Sequence, residues 1–367
     1  MSPFEVALRE QTVAEKGFMR KTLFWKGVVG LASAMLFSMS IDSSSFSAQS
    51  SPVSVQMLPV FPTISQEFSA PIYTSSDGAL TVHAGGNYVD PYFATKALLA
   101  AQAAGLNIDV AGKRWINWLR LRQRPNGLFD RYQQVAPGLW QVVAPSDADD
   151  AMLALWLELL NSLSPKSGLP TEWRQSARRA RIRLDELRNP VTGVYNISTS
   201  LPVGLLMDNT EIYGALQNIA RSEERFGQRA RAQQTRQQAA ALAASIQTVF
   251  WRPDWNEYSI STQDAPRDTF YPYAVAQLYP IIDGLPTLLG QEAPSLVYSR
   301  WLTAHSNTWL QMNNDPYPWG LVALAGVAVG DDEIAIDWMA AAAPLRHSAR
   351  WNVLEEAIFQ GLDAQLS

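Results

Sequence analysis

The sequence predicts an all-α fold, an (α/α)6 toroid of six helical hairpins with short β-hairpin-like segments in its loops. Three observations predict it. One phrase, a polar segment carrying an acid and then an Ala/Leu-rich apolar helix, recurs at Asp90, Asp150, Asp208, Asp268 and Asp315, at intervals of 60, 58, 60 and 47. Helices of a different, one-sided kind lie between these. A small turn phrase then marks the same period. Open solenoids use shorter units, about 34 to 47 residues, whereas units near 60 with inner helices buried all round suit a closed ring.

The inner helices read as "YVDPYFATKALLAAQAAG", "SDADDAMLALWLELL", "MDNTEIYGALQNIA", "RDTFYPYAVAQLYPII" and "NNDPYPWGLVALAGVAVG", and "SARWNVLEEAIFQGL" is a degenerate sixth in which no acid leads. Of the intervening helices, "TEWRQSARRARIRLDELR" is the clearest. Its Trp173, Ala177, Ala180, Leu184 and Leu187 step by four and three, which makes one apolar stripe opposite a basic, solvated face. The turn phrases are "RPNGLFDRY", "NPVTGVYNI" and "RPDWNEYSI", each a turn followed by an aromatic and a short extended piece. In a ring the inner helices run parallel, so their leading acids converge on one end.

A single Asp at a helix start is a favoured N-cap. The cluster Asp147, Asp149 and Asp150 exceeds that need, because one carboxylate caps and the others repel it. Extra carboxylates fit hydroxyl-rich ligand binding or paired acid/base work. Glycosidic cleavage needs one carboxylic acid to protonate the leaving oxygen and a second carboxylate as base or nucleophile. The ring of acids with Tyr92, Trp140, Tyr271, Tyr273, Tyr317 and Trp319 at the same end offers both the pair and stacking surfaces. His83, His305 and His347 lie far apart with no HExxH, so no metal site is expected, and no GxSxG, Walker A or GxGxxG context calls for another chemistry or a cofactor.

Residues 1–48 read as a signal peptide or N-terminal anchor: Arg20, Lys21 and Lys26 precede the apolar run "GVVGLASAMLFSM" and a small-residue region follows. Cleavage near Ala48 is the reading preferred over an uncleaved anchor, the one route to a membrane, and it places the chain in the periplasm or outside the cell. Residues 49–78 read as a linker and irregular lead-in, and 79–367 as the domain. Without cysteine the chain is neither a lipoprotein nor a disulfide scaffold. Removing residues 1–48 leaves 24 basic against 30 acidic residues, a net charge of −6. That argues against nucleic acid or an anionic membrane surface as partner.

Three segments in order resemble the family eight glycoside hydrolases, the cellulases and bacterial-cellulose-associated endoglucanases. "APSDADDAMLALWLELL" resembles the family's Ser/Thr-Asp-Gly/Ala-Asp segment, which implies that Asp147 and Asp149 line the subsite next to the scissile bond. "RPDWNEYSISTQDAPRDTFYPYAVAQLYPI" resembles its Pro-Asp-Trp segment, which implies that Asp268 is the base of an inverting mechanism. "NYVDPYFATKALLAA" stands where the family has its general-acid Glu, so Asp90 is the matching acid, one methylene shorter. The Arg usual after the family's base is absent, and Asp208 or Glu211 in "MDNTEIYG" are the alternative partners.

These readings give Asp90 and Asp268 as the catalytic pair and Asp147, Asp149, Asp150, Asp208, Tyr92, Trp140, Tyr271, Tyr273 and Trp319 as substrate-binding residues. The expected activity is cleavage of a polysaccharide, by the resemblance a β-1,4-glucan, beside an exopolysaccharide synthesis machinery. The rivals are a non-catalytic glycan-binding accessory protein and a different glycosidase or lyase on the same barrel, for which Arg131 and Arg267 are the obvious cations. The Asp-x-Asp-Asp match to class II terpene cyclases is a minor reading.

Overall fold

The computed structural model describes residues 66–146, 148–287, 291–313, 315 and 317–366. The signal or anchor reading and Asp147 lie outside them. In chain order the helices are α1 (Pro91–Ala103), α2 (Asp109–Arg120), α3 (Asp149–Ser162), α4 (Thr171–Leu187), α5 (Leu206–Arg225), α6 (Arg229–Phe250), α7 (Tyr279–Ile282), α8 (Pro294–Leu310), α9 (Gly320–Ala328), α10 (Asp332–Ala342) and α11 (Val353–Leu366). The odd-numbered helices form an inner ring: α1 packs on α3, α3 on α5, α5 on α7, α7 on α9, α9 on α11, and α11 returns to α1. The even-numbered helices pack outside, α2 on α1, α4 on α3, α6 on α5 and α10 on α9. This is the expected (α/α)6 toroid. Among the described residues, no helix is long and apolar enough to cross a membrane.

The two kinds of helix follow from position. An inner helix meets two ring neighbours and an outer helix, so every residue of α3 from Asp149 to Asn161 is buried. An outer helix keeps one wet face, and α4 buries Trp173, Ser176, Ala180, Leu184 and Leu187, close to the stripe read from the sequence. Hairpins are fastened by indole N–H groups that find partners in the core: Trp115 Nε1 donates to Thr95 Oγ1 at 3.1 Å and Trp156 Nε1 to Ser176 Oγ at 2.9 Å. Truncating such a fully buried Trp to Ala costs roughly 3–5 kcal/mol.

The sixth hairpin is closed by the irregular lead-in. Its Phe68 and Tyr73 are buried, Val353 N donates to Val82 O at 2.8 Å, and Gln360 Nε2 donates to Ser69 O at 2.7 Å.

The loops carry two small sheets. Strands β1 (Tyr88–Val89), β2 (Asp130–Ala136) and β3 (Leu139–Pro145) form an antiparallel sheet in that order, with Val89 opposite Tyr132. Strands β4 (Trp251–Arg252) and β5 (Glu257–Tyr258) form a hairpin after α6. The turn phrases at residues 124–132 and 252–260 thus become β-structure.

Candidate active site

The register of β1 on β2 sets the first wall of the site. With Val89 paired to Tyr132, Arg131 stands beside Asp90, and its Nε lies 2.9 Å from Asp90 Oδ2. Asp90 Oδ1 accepts from Tyr92 N at 3.0 Å, so this acid does cap α1 while its other oxygen faces a guanidinium. Both functions use the carboxylate form.

Asp149 and Asp150 are the first two residues of α3, and neither side chain caps it; the N-cap position is Ala148. Burial pushes Asp149 up to about 6, against the pull of Arg183 and Arg124. Burial pushes Asp150 up to about 7, with Asp149 and Glu211 adding repulsion while the backbone N–H groups of Ala151 and Asp150 oppose it. A helix N-terminus favours an ionised carboxylate, so desolvation outweighs the dipole here.

Below them lies a buried charged floor that the sequence reading did not foresee. Lys96, one turn into α1 and fully buried, forms an ion pair with Glu211 of α5. Tyr92 Oη donates to Glu211 Oε1 at 2.7 Å. Asp283 and Asp208 also face this ammonium, whose affinity for its proton is lowered by burial despite them. Deeper, Asn218 Nδ2 donates to Glu158 Oε1 at 2.6 Å, and burial raises Glu158 to about 7.

A further wall comes from α9 and α11. Asn352 Oδ1 accepts from Leu354 N at 2.9 Å and Glu355 N at 3.0 Å, which caps α11. Glu355 Oε2 then accepts from Gly320 N at 2.9 Å. Burial raises Glu355 to about 7, against the backbone N–H groups of Gly320 and Trp319 and with Asp315 adding repulsion. Trp319 holds left-handed backbone at φ 52°, ψ 57°, strained for a bulky residue. Two indoles clamp this corner: Trp309 Nε1 donates to Pro318 O at 3.1 Å and Trp338 Nε1 to the same oxygen at 2.9 Å. The Trp319 ring consequently lies 4.5 Å from Tyr271 at a 35° tilt.

Asp90, Asp149, Asp150, Asp208 and Tyr92 therefore lie at inner-helix N-termini, and Tyr271 and Trp319 pair at the entries to α7 and α9. Asp268 and Tyr273 lie elsewhere in that rim. Asp268 is exposed and lines an open groove of ≈ 1030 Å³ between the β4–β5 hairpin and α8. Tyr273 Oη donates to Glu257 Oε2 at 2.6 Å. Trp140 is half-buried, with Nε1 donating to Asp77 Oδ2 at 2.9 Å and its ring edge-on to Trp118. The sequence reading missed Lys96, Glu158 and Glu355. "NVLE", an Asn cap with Glu three residues on, was the available signal for Glu355. Among the described residues no three His, Asp or Glu side chains cluster as metal ligands.

This end of the ring thus carries carboxyl groups that burial raises to about 6 to 7, the Asp90–Arg131 ion pair and the Tyr271–Trp319 ring pair. No family model and no curated protein sequence matches the chain. Solved structures do resemble it in fold. A point variant of a glycosidase shares 12% identity over 80% of this chain and 93% of its own, with a TM-score of 0.52. A D-mannose isomerase shares 12% identity over 82% of this chain and 94% of its own, with a TM-score of 0.51. A rhamnosidase from Klebsiella oxytoca with rhamnose bound matches 71% of this chain at 16% identity and a TM-score of 0.47, and the chain spans 50% of its length. The fold is thus an α/α toroid, shared with the glycosidase variant and the D-mannose isomerase.

Proposed function

We propose that the mouth of the ring is the active site of a glycoside hydrolase. The observation that carries this reading is the set of carboxyl groups on α3 and α11 held at about 6 to 7, Asp149, Asp150 and Glu355. A general acid must keep its proton near the working pH, and a second carboxylate must be ionised there. Glu355, at about 7, takes the acid's part, and Asp149, at about 6 with Arg124 and Arg183 near it, takes the base's. Asp90 orients Arg131 toward the sugar, and Tyr271 with Trp319 offers an apolar face for a pyranose ring. The toroids of a glycosidase and a mannose isomerase favour a sugar as ligand without choosing the reaction.

The substrate we assign is a β-1,4-glucan, on the resemblance of residues 144–160 and 252–281 to family eight glycoside hydrolases. Residues 20–48 support export to the periplasm or beyond, where an exopolysaccharide and its synthesis machinery would be met.

The test is reducing-sugar release from carboxymethyl cellulose and a panel of bacterial exopolysaccharides. Glu355→Gln, Asp149→Asn, Asp90→Asn and Asp268→Asn are run beside the parent protein. Glu355→Gln and Asp149→Asn should each lower turnover by roughly 10²-fold or more. Full activity in both sinks the assignment, and loss confined to Asp90→Asn and Asp268→Asn moves the chemistry to that pair. Glycan binding without turnover selects an accessory protein, and conversion of free mannose to fructose selects an isomerase.

A further inference from the structure

Beside the mouth lies the open groove that holds Asp268. One wall is aromatic: Phe270, Trp301 and His305 of the α7 entry and α8 stand together, with ring centroids 5.9 Å apart for Phe270 and Trp301 and 4.8 Å for Trp301 and His305. Trp301 is pinned in place, its Nε1 donating to Ala274 O at 2.7 Å. The other wall is the β4–β5 hairpin with Glu257, and Arg300 stands at the edge.

The charges of this groove are matched internally. Arg267 pairs with Glu257 at 3.3 Å, and Arg300 pairs with Glu292. Both arginines are thus already committed, and an anionic sugar would also meet the carboxylate of Asp268. A neutral, hydroxyl-rich chain finds acceptors in Asp268 and Glu257 and apolar ring faces in Phe270 and Trp301. His305 adds polar ring nitrogens to this wall, and burial lowers its affinity for a proton.

Size and position add to this. Sites for single small ligands enclose about 300–1,000 Å³, and ≈ 1030 Å³ of open groove exceeds what one monosaccharide fills. Phe270 lies 6.4 Å from Trp319, whose ring also meets Tyr271 at the mouth. The groove therefore lies beside the mouth, with Phe270 of its wall packed on the Trp319–Tyr271 pair.

We infer that this groove binds several consecutive units of a neutral glycan chain and so makes the protein selective for polymers over disaccharides. The inference rests on the glycan reading above and moves Asp268 from the reacting centre to chain binding.

The experiment is calorimetric titration of the protein in a Glu355→Gln background with cellohexaose and with cellobiose, repeated with Phe270→Ala and, separately, with the exposed Asp268→Ala. Cellohexaose should bind at least tenfold more tightly than cellobiose. Each groove variant should narrow that gap, Phe270→Ala by roughly tenfold, as expected when an anchoring aromatic is removed. A gap unchanged in Asp268→Ala and in a folded Phe270→Ala, or no gap at all, overturns the groove assignment. Reducing-sugar release by the parent protein is read separately. Turnover with no length preference removes the groove and leaves the hydrolase, whereas a length preference erased by the variants with no turnover removes the hydrolase and leaves the groove.

Discussion

Glu355 and Gly320 join two adjacent members of the inner ring: the carboxyl in the first turn of α11 accepts a hydrogen bond from the first backbone N–H of α9 at 2.9 Å. A Glu three residues after an Asn cap usually reaches back to its own helix start. Here it serves the neighbouring helix, which ties a titratable group to the packing between two inner helices.

Gly320 is required by that approach. A Cβ there would stand 2.7 Å from Glu355 Oε2 and 2.7 Å from the Trp338 ring. Gly320→Ala should cost about 1–3 kcal/mol as an overpacked site and should also disturb activity by displacing Glu355. Urea unfolding and turnover of the variant check both effects. A neutral result would mean that this wall yields.

Stability should depend on pH through Asp150 and Glu355. Both carboxyls hold protons more tightly when folded, at about 7, than their ordinary 3.8 and 4.5. The folded state then binds more protons than the unfolded chain between about pH 4 and 7, so this part of the stability is full at the acid end and lost as pH rises through 7. Asp150→Asn, which has no charge to bury, should lose less stability than the parent between about pH 5 and 8. Denaturation midpoints measured across that range decide it, and parallel curves would remove Asp150 as the source.

Turnover should show a bell centred between about pH 6 and 7. The acid limb reflects ionisation of Asp149 at about 6 and the alkaline limb deprotonation of Glu355 at about 7. Residual turnover in Glu355→Gln should lack the alkaline limb. If that limb survives unchanged, another group supplies the proton.

The Lys96–Glu211 pair should behave as a coupled unit. Lys96→Met leaves Glu211 facing Asp208 and Asp283 without its cation and should cost roughly 3–5 kcal/mol. The double variant with Glu211→Gln should cost less than the sum of the two single variants by about 1 kcal/mol or more. Simple additivity in urea unfolding would contradict the coupling.

The ring itself was legible because an inner helix has to be apolar on every face, and that pattern repeats near 60 residues. Of the five leading acids, Asp90 alone caps its helix, and Asp315 accepts from Tyr317 N ahead of α9. Asp150 and Asp208 lie inside their helices, and Asp268 precedes a turn in which Thr269 accepts the capping bond from Tyr273 N. Lys96 was not legible. A lone Lys in an Ala/Leu helix ordinarily reaches solvent, and its burial depends on Glu211, 115 residues away. Glu355 escaped notice because the acid was sought ahead of the helix, whereas Asn352 occupies that place. Of the residues read as stacking surfaces, Trp140 instead donates to Asp77 Oδ2 and packs edge-on to Trp118.

The seam between the lead-in and the last helix joins residues 291 apart in sequence, Ser69 and Gln360. A ring of this kind stays open until its last member arrives, so the first hairpin carries an unmatched apolar flank through most of synthesis. The late join must repay a long loop closure. Losing α11 would therefore leave the two flanks of the gap, on α1 and α9, facing water together, and the shortened chain would associate with its own copies through them.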